Sequence, residues 1–335
     1  MTSHAEQGDA RLLKRSGGAP DGGTREPERA MLLIQQFVNS VMLGSVYVTV
    51  AVAFTLTIGI LNFLNFTIPT LFMLTAMVGW ALAYWGVPFG LSGPLPWPWA
   101  LLIGILVAVV VSLIIERFTF RYLKMKYGDS TEHAIPLVSS LGFLLVLENL
   151  VRLGYGTDAQ RFPGPSADMT MTLFGIFFRL PQLASLIIVV FIVIGLTWLL
   201  KSSRIGRGLR AIAENPDAAN ILGIDTHKIV PVVFMLTGLL CGLAGALFAV
   251  NYGEVSPQMG DDIGTKAIAG MVVGGLGSVW GAVIGGLIVG LTEIMTIHFF
   301  GADTVQVAVW GLLLVALLLR PQGLFGHHAI GKGKL

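Results

Sequence analysis

The sequence predicts an all-α fold, a polytopic bundle of membrane-spanning helices, and two observations support this prediction. The first is composition, because 54% of the 335 residues are hydrophobic and only 12% are charged, against about 25% charged in a typical soluble domain. The second is that eight apolar segments approach or exceed the roughly 20 residues that a helix needs to cross a bilayer. The segments run over about 34–60, 61–85, 98–116, 134–151, 181–200, 229–251, 264–299 and 303–319. We therefore expect about eight to nine spans and no large soluble domain.

The two ends of the chain differ from this apolar body in composition. Residues 1–30 are polar, glycine-rich and of mixed charge, so they cannot bury enough apolar surface to offset their chain entropy, and we predict a disordered tail. The apolar protein begins at Met31, which makes Met31 a candidate translation start. The expected membrane domain is 31–326, and residues 327–335 form a short polar tail. The single cysteine, Cys241, lies in an apolar run and excludes an internal disulfide.

Positively charged residues concentrate in some of the connections between segments. Arg and Lys are frequent in 117–132, in 201–228 and after the last segment, whereas the acidic connection 252–263 has none. Connections that face the cytoplasm carry an excess of these residues. We therefore predict that 117–132, 201–228 and the C-terminal tail are cytoplasmic. The connections 86–98, 152–180 and 252–263 are then predicted to lie outside.

Two stretches do not fit a simple count of crossings and indicate broken or re-entrant helices, because 264–299 must start and end outside if 303–319 is to end inside. The turn Gly274–Gly281 divides 264–299, so we expect a pair of short or broken helices that meet there. Residues 34–85 would have to cross an odd number of times if the N-terminus is cytoplasmic, as three short crossings or as one span plus a re-entrant piece. Irregular backbone at membrane depth is tolerated where protein or a water-filled cavity covers it, and solute-binding sites are often built there.

Small residues recur at a spacing of four in the last third of the chain, which predicts close packing between helices. A smooth glycine face also lets one helix slide past another, as a gated path requires. The expected packing and gating positions are Gly274, Gly275, Gly277, Gly281 and Gly285.

Six polar residues within the apolar runs are candidates to line a solute path. They are Asn62, Asn65, Thr67, Ser139, Glu148 and Asn149. The first three lie near Pro69, where a helix must kink or break because proline lacks an amide donor. An ionisable group inside a span is costly and usually faces the bundle interior or water, which applies to Glu148 and also to Glu293. Hydrogen bonding between helices is the alternative role for each of these residues.

The segment 203–228 is too long for a simple turn and carries its own helix signals. An amphipathic stretch covers Arg207–Glu214. Asn215 then suits an N-cap, Pro216 suits the first helical position, and Gly223 suits a C-terminal stop. We therefore predict two short helices along the cytoplasmic surface.

An apolar ridge on these short helices, with Leu209 and Ile212, is expected to fill a groove in a partner protein. Packing on the membrane surface without a partner is the alternative. The expected contact residues are Arg207, Gly208, Arg210, Ala211, Glu214, Asp217, Ala219 and Gly223.

The sequence contains no recognisable catalytic machinery. Gly326–Lys332 has the G-x-x-x-x-G-K spacing of a phosphate-binding loop, but Gly333 stands where Ser or Thr should bind magnesium, and a membrane helix precedes it instead of a strand. No nucleophile–base arrangement and no metal-ligand spacing stands out. We therefore expect no enzymatic activity and no cofactor in this chain.

Five stretches of the sequence resemble a single family. They are Asn39–Tyr47, Glu148–Arg152, Gly206–Ile224, Lys266–Gly286 and Arg320–Phe325. Together they are similar to branched-chain amino acid permeases of the LivH type from ATP-binding-cassette (ABC) transporters, over about 31–326. The resemblance implies a type II importer permease fold in the bacterial inner membrane, with a cytoplasmic C-terminus. Its implied partners are a second permease subunit, two cytosolic ATPases that carry ATP and Mg²⁺, and a periplasmic substrate-binding protein, with no nucleic acid. The segment 203–228 would be the coupling loop that docks on an ATPase.

One departure from the family pattern leaves the substrate open. After an early Asn-Phe pair the family usually has Ala-His-Gly, whereas in Asn65–Pro69 the same pair is followed by Thr-Ile-Pro. The cargo is therefore a branched-chain amino acid or another small polar solute, such as urea, a short amide or a small carboxylate. Two other functions stay open from the residues alone. One is an ion-coupled secondary transporter in which Glu148 and Glu293 bind protons or cations, and the other is a passive channel for small solutes.

Overall fold

The computed structural model describes residues 26–86, 93–122, 134–164, 170–173 and 176–326. The helices are α1 (Glu26–Leu61), α2 (Thr67–Tyr84), α3 (Trp97–Ile115), α4 (Ala134–Tyr155), α5 (Leu180–Ser202), α6 (Arg204–Glu214), α7 (Pro216–Ile221), α8 (Thr226–Tyr252), α9 (Met259–Gly274), α10 (Val279–Phe300) and α11 (Val305–Leu319). A π-helical turn, Glu116–Tyr122, continues α3, and a 3₁₀ turn, Ala302–Thr304, precedes α11.

The predicted all-α membrane bundle is confirmed. Among the described residues, eight helices are long and apolar enough to cross a membrane. They are α1, α2, α3, α4, α5, α8, α10 and α11. The shorter α9, with 16 residues, packs against α1, α10 and α11, which agrees with the expected eight to nine spans.

The predicted tails lie mostly outside the described residues. This applies to residues 1–25 and 327–335. The expected disorder of 26–30 is wrong, because α1 already begins at Glu26. Glutamate and alanine favour a helix, and Pro27 falls in its first turn, where no amide donor is needed.

Two small antiparallel ladders lie in connections that the charge pattern predicts to be outside. β1 (Gln160–Arg161) pairs with β4 (Glu254–Val255), and β2 (Thr170–Leu173) pairs with β3 (Ile176–Arg179). These strands were not predictable from the sequence, because two to four residues carry too little alternation to indicate a strand.

The core of the bundle lies around α1 and α2. Val46, Val50 and Phe54 on α1 are fully buried, and α10 packs along the same helix. A Cβ atom added at Gly290 would lie only 2.5 Å from Cα of Gly44, so the two backbones are in contact. Helices α4, α5 and α11 instead expose many apolar side chains, as helices do that face lipid.

The three short crossings considered for 34–85 are not observed. One 36-residue helix, α1, is followed by the 18-residue α2. The break lies at 62–66, where Asn62 adopts a left-handed φ of 55°. Pro69 is the third residue of α2 and breaks nothing, because proline in the first turn removes an amide that has no partner in the helix.

The ends of α1 lie against opposite ends of the bundle. Near its start, the Gln35 side chain donates to the carbonyl of Phe177 at 3.0 Å and accepts from the amide of Phe177 at 2.9 Å. Near its end, a Cβ on Gly59 would lie 3.2 Å from Cα of Gly277. Phe177 belongs to 152–180, which the charge pattern predicts to be outside. With that orientation α1 runs inward and α2 returns, so two crossings replace the odd number expected for a cytoplasmic N-terminus.

A glycine-rich turn divides 264–299 as predicted. It joins α9 to α10, with left-handed φ values of 114° at Gly275 and 82° at Gly277. Only the first helix of the expected pair is short, because α10 has 22 residues. The amides of Leu324 and Phe325 donate to carbonyls of the last turn of α9, at 3.0 and 2.9 Å, so the end of the described chain covers this turn.

Candidate functional site

Helix α6 packs into the bundle with its apolar side. Its start is capped by Ser203, whose Oγ accepts a hydrogen bond from the amide of Gly206 at 2.8 Å. Leu209 and Ile212 are 0% and 3% exposed, and α6 contacts α1, α5 and α8. The prediction that this ridge fills a groove in a partner is therefore wrong, because the chain's own helices provide the groove.

Two arginines of α6 cap the preceding helix. Nη1 of Arg207 donates to the carbonyl of Ser202, and Nη2 of Arg210 donates to the carbonyl of Lys201, each at 3.3 Å. The last carbonyls of a helix lack partners within it, and positive charge is favourable there. Both arginines are also exposed, so they cap α5 and remain accessible at this end of the bundle.

Helix α7 carries an exposed apolar pair at its end. The two predicted short helices are present, since Oδ1 of Asn215 accepts from the amide of Ala218 at 3.1 Å and Gly223 ends the segment with a φ of 82°. Ile221 and Leu222 are 86% and 79% exposed. This exposure was not predicted, although the sequence holds a signal for it: an Ile-Leu pair beside a stop glycine has no following turn of helix to cover it.

The eight residues predicted for docking are divided between the surface and the interior. They are exposed at Arg207, Arg210, Glu214 and Gly223, half-buried at Ala211, and buried at Gly208 and Ala219. The side chain of Asp217 lies outside the described part of the structure. A Cβ on Gly208 would lie 2.7 Å from Cδ1 of Ile229, so Gly208 permits the packing of α6 on α8.

The five glycines predicted for packing or gating lie in and next to the turn between α9 and α10. A Cβ on Gly274 would overlap the backbone of Gly281, and one on Gly285 would overlap the backbone of Gly270. Gly275 and Gly277 supply the left-handed turn itself. These positions hold the two helices in backbone contact, and sliding between them stays a prediction.

Asn65 and Thr67 meet at the break between α1 and α2. Oδ1 of Asn65 accepts hydrogen bonds from the amide and the hydroxyl of Thr67, at 3.0 and 2.7 Å. The amide of Phe66 donates to Oγ of Ser140 on α4 at 3.2 Å. The buried Nδ2 of Asn65 has no hydrogen-bond partner among the described residues. These contacts cap α2 and tether its start to α4.

The other predicted path residues lie elsewhere. Asn62 is exposed at the end of α1, and Ser139 is half-buried on α4. Asn149 is exposed, and its Nδ2 donates to the carbonyl one turn earlier at 2.7 Å. Glu148 is buried and forms an ion pair with Arg152. The six predicted path residues therefore lie in two places. Asn62, Asn65 and Thr67 lie at the α1–α2 break, and the other three lie on α4.

A buried charged network joins α1, α9 and α10. Oη of Tyr47 donates to Oε2 of Glu293 at 2.5 Å. Nζ of Lys266 lies 2.7 Å from Oε1 of Glu293 and 3.1 Å from Oδ2 of Asp262. Lys266 and Glu293 are each 7% exposed. Because both charged groups are buried, removing either one would leave the other buried without a partner of opposite charge.

Two ion pairs are relevant to the alternative function of an ion-coupled secondary transporter. Each carboxylate that it requires has a cationic partner, Lys266 for Glu293 and Arg152 for Glu148. A proton or cation site would need both pairs to open, so the structure does not favour that alternative. The contact of Tyr47 with Glu293 was not predictable from the sequence, because the two residues are 246 positions apart along the chain. Lys266 was detectable as a charge in an apolar run.

Metal binding finds no support in the described residues. Within the described ranges, no group of three or more His, Cys, Asp or Glu side chains could hold an ion. Cys241 is free and buried.

Residues 36–319 match the profile of the family described as branched-chain amino acid transport system / permease component. The high-affinity branched-chain amino acid permease protein BraD of Pseudomonas aeruginosa is 30% identical over 304 residues, which cover 89% of this chain and 97% of BraD. The corresponding protein LivH of Escherichia coli K12 is 29% identical over 323 residues, with 91% and 99% covered. The fructose import permease FrcC of Rhizobium meliloti is 26% identical over 242 residues, with 64% and 66% covered. The chain therefore belongs to the branched-chain amino acid permease family and is a membrane-spanning permease subunit of an ABC importer, without catalysis of its own.

Proposed function

We propose that this subunit imports a branched-chain amino acid across the bacterial inner membrane, driven by two cytosolic ATPases, one of which docks on the segment 203–228. ATP and Mg²⁺ bind in those ATPases. A second permease subunit completes the path, and a periplasmic binding protein delivers the cargo. The arrangement is that of a type II importer with a cytoplasmic C-terminus. Family membership supports this assembly. The exposure of the Ile221–Leu222 pair is the observation that supports docking at this segment.

The docking surface is the end of α7. The side chains of Ile221 and Leu222 are exposed, and burying a side chain of this size in a partner contributes roughly 1.5–3 kcal/mol. The amide of Ile224 donates to the carbonyl of Ala219 at 2.9 Å, which fixes the turn beneath the pair. A displacement of α7 reaches α6 and, through the buried Leu209, the helices that α6 packs against.

A positively charged pocket begins at Gly223, the residue that follows the apolar pair. A pocket of about 420 Å³ is lined by Arg204, Arg207, Lys228 and Asp225, among others. Asp225 is already paired with Lys228 at 3.1 Å, so the arginines are the excess charge. An apolar centre with a charged rim is typical of protein interfaces, and this rim favours an acidic groove on the ATPase.

The cargo is proposed from the relatives. BraD and LivH, which are matched over nearly their whole length, are described as branched-chain amino acid permeases. A different small polar solute is the second candidate, because the fructose permease FrcC is also related. The sequence of Asn65–Pro69 departs from the family pattern at the α1–α2 break, which keeps this second candidate open.

The docking proposal predicts that the double variant I221N/L222N inserts normally but loses its ATPase partners. Two lost apolar contacts should reduce co-purified ATPase by at least about tenfold, the factor that corresponds to ~1.4 kcal/mol. The measurement is co-purification of the co-expressed ATPase subunits from native membranes, with ATP hydrolysis of the purified sample as a second readout.

A matched control is F299N/F300N, because Phe299 and Phe300 are also an exposed apolar pair, 63% and 77% exposed, at the opposite end of the bundle. This control should retain the ATPases. If I221N/L222N retains them equally well, the pair rests on the membrane surface and the docking proposal is wrong.

A further inference from the structure

A pocket between α9 and α11 contains the exposed edge of the buried charged network. Its volume is about 330 Å³, and it is lined by Asp261, Asp262, Lys266, Gln306 and Trp310, among others. Asp261, Asp262 and Gln306 lie near the N-terminal ends of the two helices, at the end of the bundle that the charge pattern predicts to be outside. Charged and amide groups are costly against lipid, so the pocket faces water or another subunit.

We infer that this pocket binds the ammonium and carboxylate groups of an amino acid as it enters the translocation path, with Asp262 and Lys266 as its two charged contacts. The inference rests on the proposed function, because it takes the cargo to be an amino acid. The volume of the pocket lies within the range of small-molecule sites.

The ion pair between Lys266 and Asp262 is open on one side only. The Lys266 side chain is 9% exposed and also holds Glu293 at 2.7 Å, whereas the Asp262 side chain is 52% exposed. Lys266 is therefore fixed in place by the bundle, and Asp262 is free to turn toward water. Neutralising Lys266 requires one carboxylate, which Glu293 supplies, so Asp262 is an additional group on the pocket side.

A zwitterion has the charges needed to exchange with this ion pair. The substrate carboxylate would take the place of Asp262 at Lys266, whose ammonium has three donors. The substrate ammonium would pair with the released Asp262. No net charge is buried in this exchange, because each ion keeps a partner of opposite sign.

The charge balance of the pocket selects for an ammonium group. Among the described residues that line it, Lys266 is the one cation, and Asp261, Asp262 and the adjacent Glu293 are carboxylates. Excess negative charge in a cleft attracts cationic groups. Val309 and Trp310 line the apolar side, where they provide a surface for an aliphatic side chain. A neutral sugar carries no charges that could exchange with the ion pair between Asp262 and Lys266.

The test measures protection of a cysteine placed in the pocket. Gln306→Cys is introduced into the Cys241→Ala chain, the complete transporter is reconstituted in nanodiscs, and the rate of methanethiosulfonate modification is measured against L-leucine or D-fructose concentration. Leucine should slow the reaction and fructose should not. In D262N, the leucine concentration that gives half protection should rise about tenfold, a loss of ~1.4 kcal/mol. The exposed Asp303 provides the control D303N, which should behave like the parent.

Two further results complete the test. K266M/E293Q removes the carboxylate contact without leaving a buried charge, and it should also lose protection. Absence of protection by leucine in the parent, or equal protection in D262N, would overturn the inference. ATP-driven leucine uptake is measured on the same variants, so a parent that imports leucine without pocket protection overturns this inference alone. A parent that does not import leucine overturns the proposed function.

Discussion

For Glu293, the buried position was predictable from the sequence, but the residues that it contacts were not. The sequence indicates an ionisable group inside a span, which usually faces the bundle interior, and the structure places it there. Its partners were not predictable, because Tyr47 comes from α1 and Lys266 from α9, and the contact depends on how both helices pack on α10. The same applies to Leu209, whose apolar character is evident in the sequence but whose partner helices are not.

Removing Lys266 should destabilise the protein far more than removing the pair. In K266M, Glu293 stays buried without its cation, which costs on the order of 3–5 kcal/mol. In K266M/E293Q, no charge is left behind, so most of the loss should be recovered. Thermal unfolding is measured by a thiol-reactive dye, because the only cysteine, Cys241, is fully buried and reacts only on unfolding. Equal midpoints for both variants would contradict the geometry described for the network.

At the scale of elements, the sequence predicted close helix packing through glycine but not which helices meet. Gly286 and Gly290 have the small-xxx-small spacing, and the structure places both against α1, where a Cβ on Gly286 would lie 2.8 Å from Cα of Val48. The two short helices of 203–228 were predictable because Asn215 and Gly223 are local cap signals. The burial of their ridge was not, because it depends on α1, α5 and α8.

The α1–α10 contact predicts that G290A is strongly destabilising. A single methyl group would meet Cα of Gly44 at 2.5 Å and the carbonyl oxygen of Ser40 at 2.9 Å, and overpacking of this kind costs roughly 1–3 kcal/mol. G311A is the matched control, because nothing lies within 4 Å of a Cβ at Gly311. The dye assay on Cys241 should show a lowered midpoint for G290A only. Equal midpoints would mean that the two backbones do not touch.

At the scale of the whole molecule, composition alone predicted the bundle, and charge placement predicted which connections share a side. The structure agrees with that placement, since β1 in 152–180 pairs with β4 in 252–263, and both connections were predicted to be outside. The number of crossings in 34–85 was not predictable, because the uninterrupted apolar run of α1 hides where the helix ends. Only the position of Asn62 in a left-handed conformation marks that end.

The path of α1 predicts that the start of this helix lies outside. Single cysteines at Met31, Thr157 and Glu214, all exposed, are introduced into the Cys241→Ala chain and labelled with an impermeant maleimide on spheroplasts. M31C and T157C should react on intact spheroplasts, and E214C should react only after permeabilisation. Labelling of M31C restricted to permeabilised spheroplasts would show that α1 does not run from the outer to the inner end.

The central claim, that this subunit is the membrane path of an ATP-driven importer, is tested most directly by uptake of labelled L-leucine into proteoliposomes. The vesicles contain this subunit with its second permease and ATPase subunits, and the binding protein is added outside. Uptake should require both internal ATP and the binding protein, and an imposed proton or sodium gradient without ATP should produce none. Leucine uptake that follows the ion gradient in the absence of ATP would contradict the account.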